Sequence, residues 1–178
     1  MISIDADHLD HKALNDRLRG IKAPIQLTNC CGQRFIAAGM APVSLSITGV
    51  PDNALGAYLN GGKIVVHGNA QDAVGDTMNN GTIIVLGLTA QQNPIVSNFP
   101  CTGMHGGTMY LRGSCDAIRF PQTVEVSRAD AEDIAAIDER LTEFCTIFSY
   151  DKNVVMEEGF TKIVPSSSNP YKALYVTN

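Results

Sequence analysis

The chain has 178 residues, 44% of them hydrophobic, and a formal charge of −5. That length suits one domain with a real core, and no Lys/Arg cluster or apolar run of about 20 residues suggests nucleic acid or a bilayer as a partner. Five cysteines (Cys30, Cys31, Cys101, Cys115, Cys145) form no CxxC pair, which favours reduced thiols in a cytoplasmic setting over a disulfide frame or a metal site.

The N-terminus carries no basic start followed by an apolar stretch, so no secretory signal is expected. Residues 1–20 read as an amphipathic helix, with Leu9, Ala13, Leu14 and Leu18 facing inward. His8 and His11 share a face of that helix. The surrounding carboxylates of Asp5, Asp7, Asp10 and Asp16 are scattered round it, so a surface helix is preferred to a metal site.

From residue 25 to residue 126 the chain repeats. Gly49, Gly68 and Gly87 follow one another at 68 − 49 = 87 − 68 = 19 residues, and Gly56/Gly75 and Gly62/Gly81 keep the same step. Met40, Leu45 and Ile47 extend the pattern upstream. Downstream it resumes at Met104, Gly107 and Gly113 after a step of 107 − 81 = 26. A fixed period near 20 residues indicates stacked coils. Each "KIVVHG" or "TIIVLG" is a short β-branched strand. Ile64/Val66, Ile83/Val85 and Met109/Leu111 would point inward, with Leu55, Val74 and the Leu59/Met78/Met104 column lining the other walls. "TVEV" (residues 123–126) is a candidate last strand. Successive coils make parallel strands, and right-handed winding is expected.

The glycine-rich "HGNAQDAVGDTMNNGTIIVLG" also invites a phosphate-loop reading. No glycine here is followed by Lys-Ser or Lys-Thr, and a strand-to-helix GxGxxG is absent, so the glycines are read as corners that need positive φ. His105 takes the place of Asn at the same corner of earlier coils, and His67 ends a strand. Ser166 to Ser168 lie in a Pro-flanked loop, not on a nucleophile elbow. No catalytic, cofactor-binding or metal residue is assigned.

Outward positions Val65, Ile84 and Tyr110 form an apolar column that something must cover. Residues 127–148 can do so as a helix capped by Ser127 or Asp130, with Ile134, Ile137, Leu141, Phe144 and Cys145 at helical spacing. Residues 89–102 read as an insertion with apolar Ile95, Val96 and Phe99, either a bulge or a contact. Residues 149–178 read as an extended tail with Phe160, Tyr171, Leu174 and Tyr175 spaced along it. It would lie along the stack or reach a neighbour.

The segments "GQRFIAAGM", "GNAQDAVGDTMNNGTIIVLG" and "CTGMHGGTMYLRG", with the tail "EEGFTKIVPSSSNPYKALYV", resemble the GXGXG domain of the glutamate synthase large subunit, which in some prokaryotes is a separate chain. The resemblance implies a mainly β fold: a right-handed, single-stranded parallel β-helix with an N-terminal helix, a C-terminal helix and an extended tail. It also implies a non-catalytic scaffold with no cofactor of its own. Such a scaffold holds a glutamine amidotransferase unit against a synthase unit that carries FMN and an iron–sulfur cluster. A related β-helix in the C subunit of formylmethanofuran dehydrogenase makes a scaffold in that complex the alternative. A self-assembling β-solenoid is a third reading, and homo-oligomers are compatible with the first. The coils are fewer than is usual for separate chains of the family.

Overall fold

The computed structural model describes residues 1–89 and 93–172. In chain order it contains β1 (Ile2–Asp5), α1 (His11–Leu18), β2 (Ile25–Cys31), β3 (Val43–Val50), β4 (Asn60–Val66), β5 (Asn80–Val85), β6 (Thr108–Arg112), β7 (Val124–Arg128), α2 (Ala131–Phe148), α3 (Lys152–Met156) and β8 (Phe160–Pro165). Strands β1 to β6 pair in parallel and in sequence order, each one coil above the last. The register is the one the repeat predicts: Leu45 lies beside Ile64, Ile64 beside Ile83, and Ile83 beside Met109. The fold is a β-solenoid of about four coils.

Each coil returns from one strand to the next through a wall built by an unusual backbone alternation. Phe35, Ala37 and Gly39 all have positive φ, as do Ala54, Gly56 and Tyr58, then Ala73, Gly75 and Thr77, and finally Phe99, Cys101 and Gly103. Every second residue is left-handed, so successive amides point alternately up and down the stack. Ala54 and Tyr58 donate forward to the carbonyls of Asp72 and Asp76, whereas Gly56 donates back to that of Ile36. The middle position of each triplet faces inward, as the burial of Ala37 and Cys101 records. Of the outer two, Phe35, Tyr58 and Phe99 stand in solvent whereas Ala54 and Gly103 are buried. The backbone polar groups of the wall are thereby paired between coils, as a β-ladder would pair them.

Inside, Leu45, Ile47, Ile64, Val66, Ile83, Val85, Met109 and Leu111 are fully buried, together with Leu55, Val74, Leu59, Met78 and Met104. Each contributes roughly 1.5–3 kcal/mol by leaving water. Met40 begins the same column and is only partly buried, because no coil lies beneath it.

Three predicted elements differ. Residues 1–20 are not one helix: Ile2 and Ile4 alternate with polar residues and extend the sheet beside β2, and the helix starts only after Asp10, whose side chain caps it. The tail is not simply extended. Its segment Phe160–Pro165 enters the sheet antiparallel between β6 and β7, so the predicted last strand pairs with the tail and never touches β6. An unpaired β6 edge would strand its amides and carbonyls, and the alternating "FTKIVP" fills that place. Leu174 and Tyr175 fall outside the described residues.

The insertion also divides. Val96 bridges Ala70, and Phe99, Cys101 and Gly103 occupy the places of Ala73, Gly75 and Thr77. Residues from Val96 onward are therefore ordinary wall, and the seven extra residues lie between Gly87 and Val96. Ala90, Gln91 and Gln92 fall outside the described residues.

At the base of the stack, α1 stands where a wall would be. Where Gly56, Gly75 and Cys101 each donate to a carbonyl of the preceding coil, Ala37 donates to Asn15 Oδ1 at 3.1 Å. Asn15 is buried and steadied by its own bond to the His11 carbonyl at 2.8 Å, so one side chain replaces a missing coil. Asn15→Ala is expected to cost about 1–3 kcal/mol, because the buried Ala37 amide loses its acceptor. A lower urea midpoint with faster hydrogen exchange at Ala37 would show this.

Candidate functional site

The outer face of the sheet is closed by the chain itself. Val65, Ile84, Leu86 and Tyr110 pack against Ile137, Leu141, Phe144 and Cys145 of α2, with Val155 and Phe160 completing the cluster. Asp130, not Ser127, caps α2 in a reciprocal box with Asp133, which satisfies two end groups at once. His67 stacks its ring on Tyr150 at 4.3 Å between centroids, next to Phe144, and burial lowers its pKa.

A polar lock fastens the start of α2. Asp133 accepts from Tyr110 Oη at 3.1 Å and from Lys162 Nζ at 2.5 Å. Burial pushes the Asp133 carboxyl up, but the hydrogen bonds from Lys162, the Asp130 amide and Tyr110 outweigh it and hold the pKa below the ordinary 3.8. Burial and the facing carboxylate push Tyr110 up to about 12. A depressed folded pKa stabilises the fold above pH 3.8 and ceases to do so as pH falls through the folded value. Asp133→Asn is therefore expected to lower stability at neutral pH by about 1.5–3 kcal/mol, the range for a hydrogen bond to a charged group. The gap from the unaltered protein should close in acid, as urea titrations at several pH values would reveal. Further along α2, the buried Arg140 reaches Ser46 Oγ at 3.1 Å and pairs with Glu143.

The sequence-predicted polar residues do not converge. His8 is exposed beside Asp7 at 3.1 Å, and His11 lies edge-on to Phe35. His105 Nδ1 meets the Ser168 carbonyl at 3.0 Å, and Ser166 Oγ donates to the Thr123 carbonyl. Among the described residues no three His, Cys, Asp or Glu side chains gather around a common point. The cysteines do not fit an iron–sulfur cluster: they lie on β2, the wall, the loop after β6 and α2. Burial pushes the thiols of Cys30 and Cys101 up to about 12 and raises those of Cys115 and Cys145.

What remains open is surface. Among the described residues no helix covers the wall of left-handed triplets, although the tail's Tyr171 sits against Gly103, and the wall carries Phe35, Tyr58 and Phe99 at 47%, 56% and 70% exposure. A groove of ≈ 690 Å³ opens beside the base coil between Leu18, Ile21, Met40 and Pro42, with Arg19 and Lys22 at its rim. The positive-φ positions legible in the sequence are its glycine corners, whereas Phe35, Tyr58 and Phe99 share that backbone without a glycine. Aromatic side chains in those positions leave no periodic signal, because only one coil in two or more carries one.

No helix among the described residues is long and apolar enough to cross a membrane. The chain is similar to an uncharacterised protein of Methanocaldococcus jannaschii, 26% identical over an alignment of 250 residues that spans 98% of this chain and 96% of the relative. That alignment is longer than the chain, so the relative has residues with no counterpart here. The model of the GXGXG motif family matches residues 11–131, from α1 through the coils to the start of α2. With the glycine columns, the coil register and that match in agreement, the chain belongs to the GXGXG motif family, which occurs in the large subunits of glutamate synthases.

Proposed function

We propose that this protein is a non-catalytic scaffold subunit of a glutamate synthase-like complex in the cytoplasm. Its work is positional: it sets a glutamine amidotransferase unit, which releases ammonia, against a synthase unit that carries FMN and an iron–sulfur cluster. The observation that carries this reading is the family match over the coils themselves. The physical chemistry agrees with it, since the repeated residues are spent on closing coils and filling a solid aliphatic interior. A stack held by side chains that register from coil to coil is stiff, and stiffness is what a spacer needs. The cofactors belong to the partner units.

Affinity purification of the full chain from its own cells, followed by mass spectrometry, tests the reading. An amidotransferase and an FMN protein should co-purify, and the chain freed of them should be colourless. Recovery of a molybdopterin protein would favour the formylmethanofuran dehydrogenase-like alternative. Concentration-dependent filaments without partners would favour a self-assembling solenoid. Stoichiometric flavin on the isolated chain would refute the proposal.

A further inference from the structure

The wall combines strain with exposure. In the outermost columns of the left-handed triplets, one position reads Phe35, Ala54, Ala73, Phe99 through the four coils, and the other reads Gly39, Tyr58, Thr77, Gly103. A left-handed conformation is cheap for glycine and costly for a residue with a bulky side chain. Tyr58 has φ +56° and Phe99 has φ +58°, yet both leave more than half of their surface in water. The fold loses backbone free energy at these positions and recovers little by burial. Strain of this sort is retained where it serves a contact.

Charge on the upper three coils of the wall has one sign, and Arg34, beside Phe35 in the base coil, is the wall's one basic residue. The segments 51–62, 68–81 and 93–107 contain Asp52, Asp72 and Asp76 and not one Lys or Arg. Among the described residues, no ion pair involves any of the three. Asp72 accepts from the backbone and side-chain amides of Asn98. Coils stacked about 4.8 Å apart put Phe35 and Phe99 about 14 Å from each other, with Tyr58 between them in height. Two copies set with these three upper coils face to face would repel one another. A surface that presents Arg or Lys would both pair with the carboxylates and lay planar guanidinium groups on the aromatic rings.

We propose that the left-handed wall is the docking face for a basic partner surface, with Tyr58 and Phe99 as its anchors and Asp52, Asp72 and Asp76 as its charge complement. The inference rests on the scaffold reading in taking that partner to be one of the two units the chain positions. α2 seals the opposite face, and on the wall the tail's Tyr171 sits beside Gly103, in the column of Tyr58 but two coils above it.

Tyr58→Gly and Phe99→Ala each install the residue that holds the same place in another coil, so the fold tolerates both. Tagged full-length chain carrying the two changes is compared with the unaltered chain in capture from native cells, with partners quantified by mass spectrometry. Retention of the amidotransferase or synthase unit should fall at least tenfold. The melting temperature of the isolated variant should hold or rise by about 2–4 °C, the shift that relief of roughly 1 kcal/mol of strain brings. Asp52→Asn should weaken capture further, more at low salt than at high.

Unchanged capture of both units would overturn the inference and leave the scaffold reading standing. A different basic protein, lost on the same two substitutions, would uphold the wall and refute the glutamate synthase assignment. Capture of nothing but a second copy of the chain would overturn the inference, as would a drop in melting temperature that accounts for the lost capture. Capture of nothing at all would overturn both.

Discussion

Replacing Gly62 by alanine should come close to unfolding the protein. Gly62 has φ +96° where β4 begins, and a Cβ there would lie 1.9 Å from the carbonyl oxygen of Val43 in the coil below. Both atoms belong to backbone, so no rotamer change relieves the clash, and the coils must separate. A cost above about 4 kcal/mol is expected, which belongs to the exceptional class of single substitutions. It is a large share of the roughly 5–15 kcal/mol that keeps a domain folded. Gly39 supplies the control. Its φ is +66° and its Cβ would meet nothing within 4 Å, so Gly39→Ala should cost only about 1–2 kcal/mol for the left-handed backbone. Urea denaturation followed by circular dichroism separates the two. Equal effects would mean that the glycines serve turning alone and not the close approach of coils.

Phe144→Ala is expected to be the most damaging change outside the stack. Phe144 is fully buried where α2 crosses the outer sheet face, with Phe148 at 4.9 Å and Tyr150 at 6.0 Å between ring centroids. Truncating a buried Phe costs about 3–5 kcal/mol. The aromatic stack that includes His67 would loosen with it. The helix then releases the Val65/Ile84 column, an apolar face that soluble proteins seldom expose. Lower stability should therefore appear together with concentration-dependent aggregation. Loss of stability without aggregation would indicate that the sheet face stays covered.

Much of the stack was legible because its cause is periodic. Ile64, Ile83 and Met109 recur at one depth, and the parallel register follows from their spacing. The covering helix was legible as well, since Ile137, Leu141 and Phe144 recur at helical spacing beneath a capping box. What was missed occurs once. Asn15 acts as a substitute carbonyl only because α1 lies under Ala37, and nothing local to its sequence says so. The strand Phe160–Pro165 depends on an open β6 edge some 50 residues earlier, and sequence alone does not show which edge is vacant. Tyr58 escaped for a related reason, and Phe99 was legible only as an apolar residue of the insertion: their place on the wall lies in φ, and no side-chain periodicity encodes a left-handed backbone there.

The claim that the chain acts by position is tested most directly by omitting it. Partner amidotransferase and synthase units are assembled with and without the chain, and glutamate formation from 2-oxoglutarate is measured with glutamine or with free ammonia as nitrogen donor. Without the chain, glutamine-dependent synthesis should be lost while glutaminase turnover and ammonia-dependent synthesis continue. Loss of the ammonia-dependent reaction as well, or undiminished glutamine-dependent synthesis in the absence of the chain, would contradict the account.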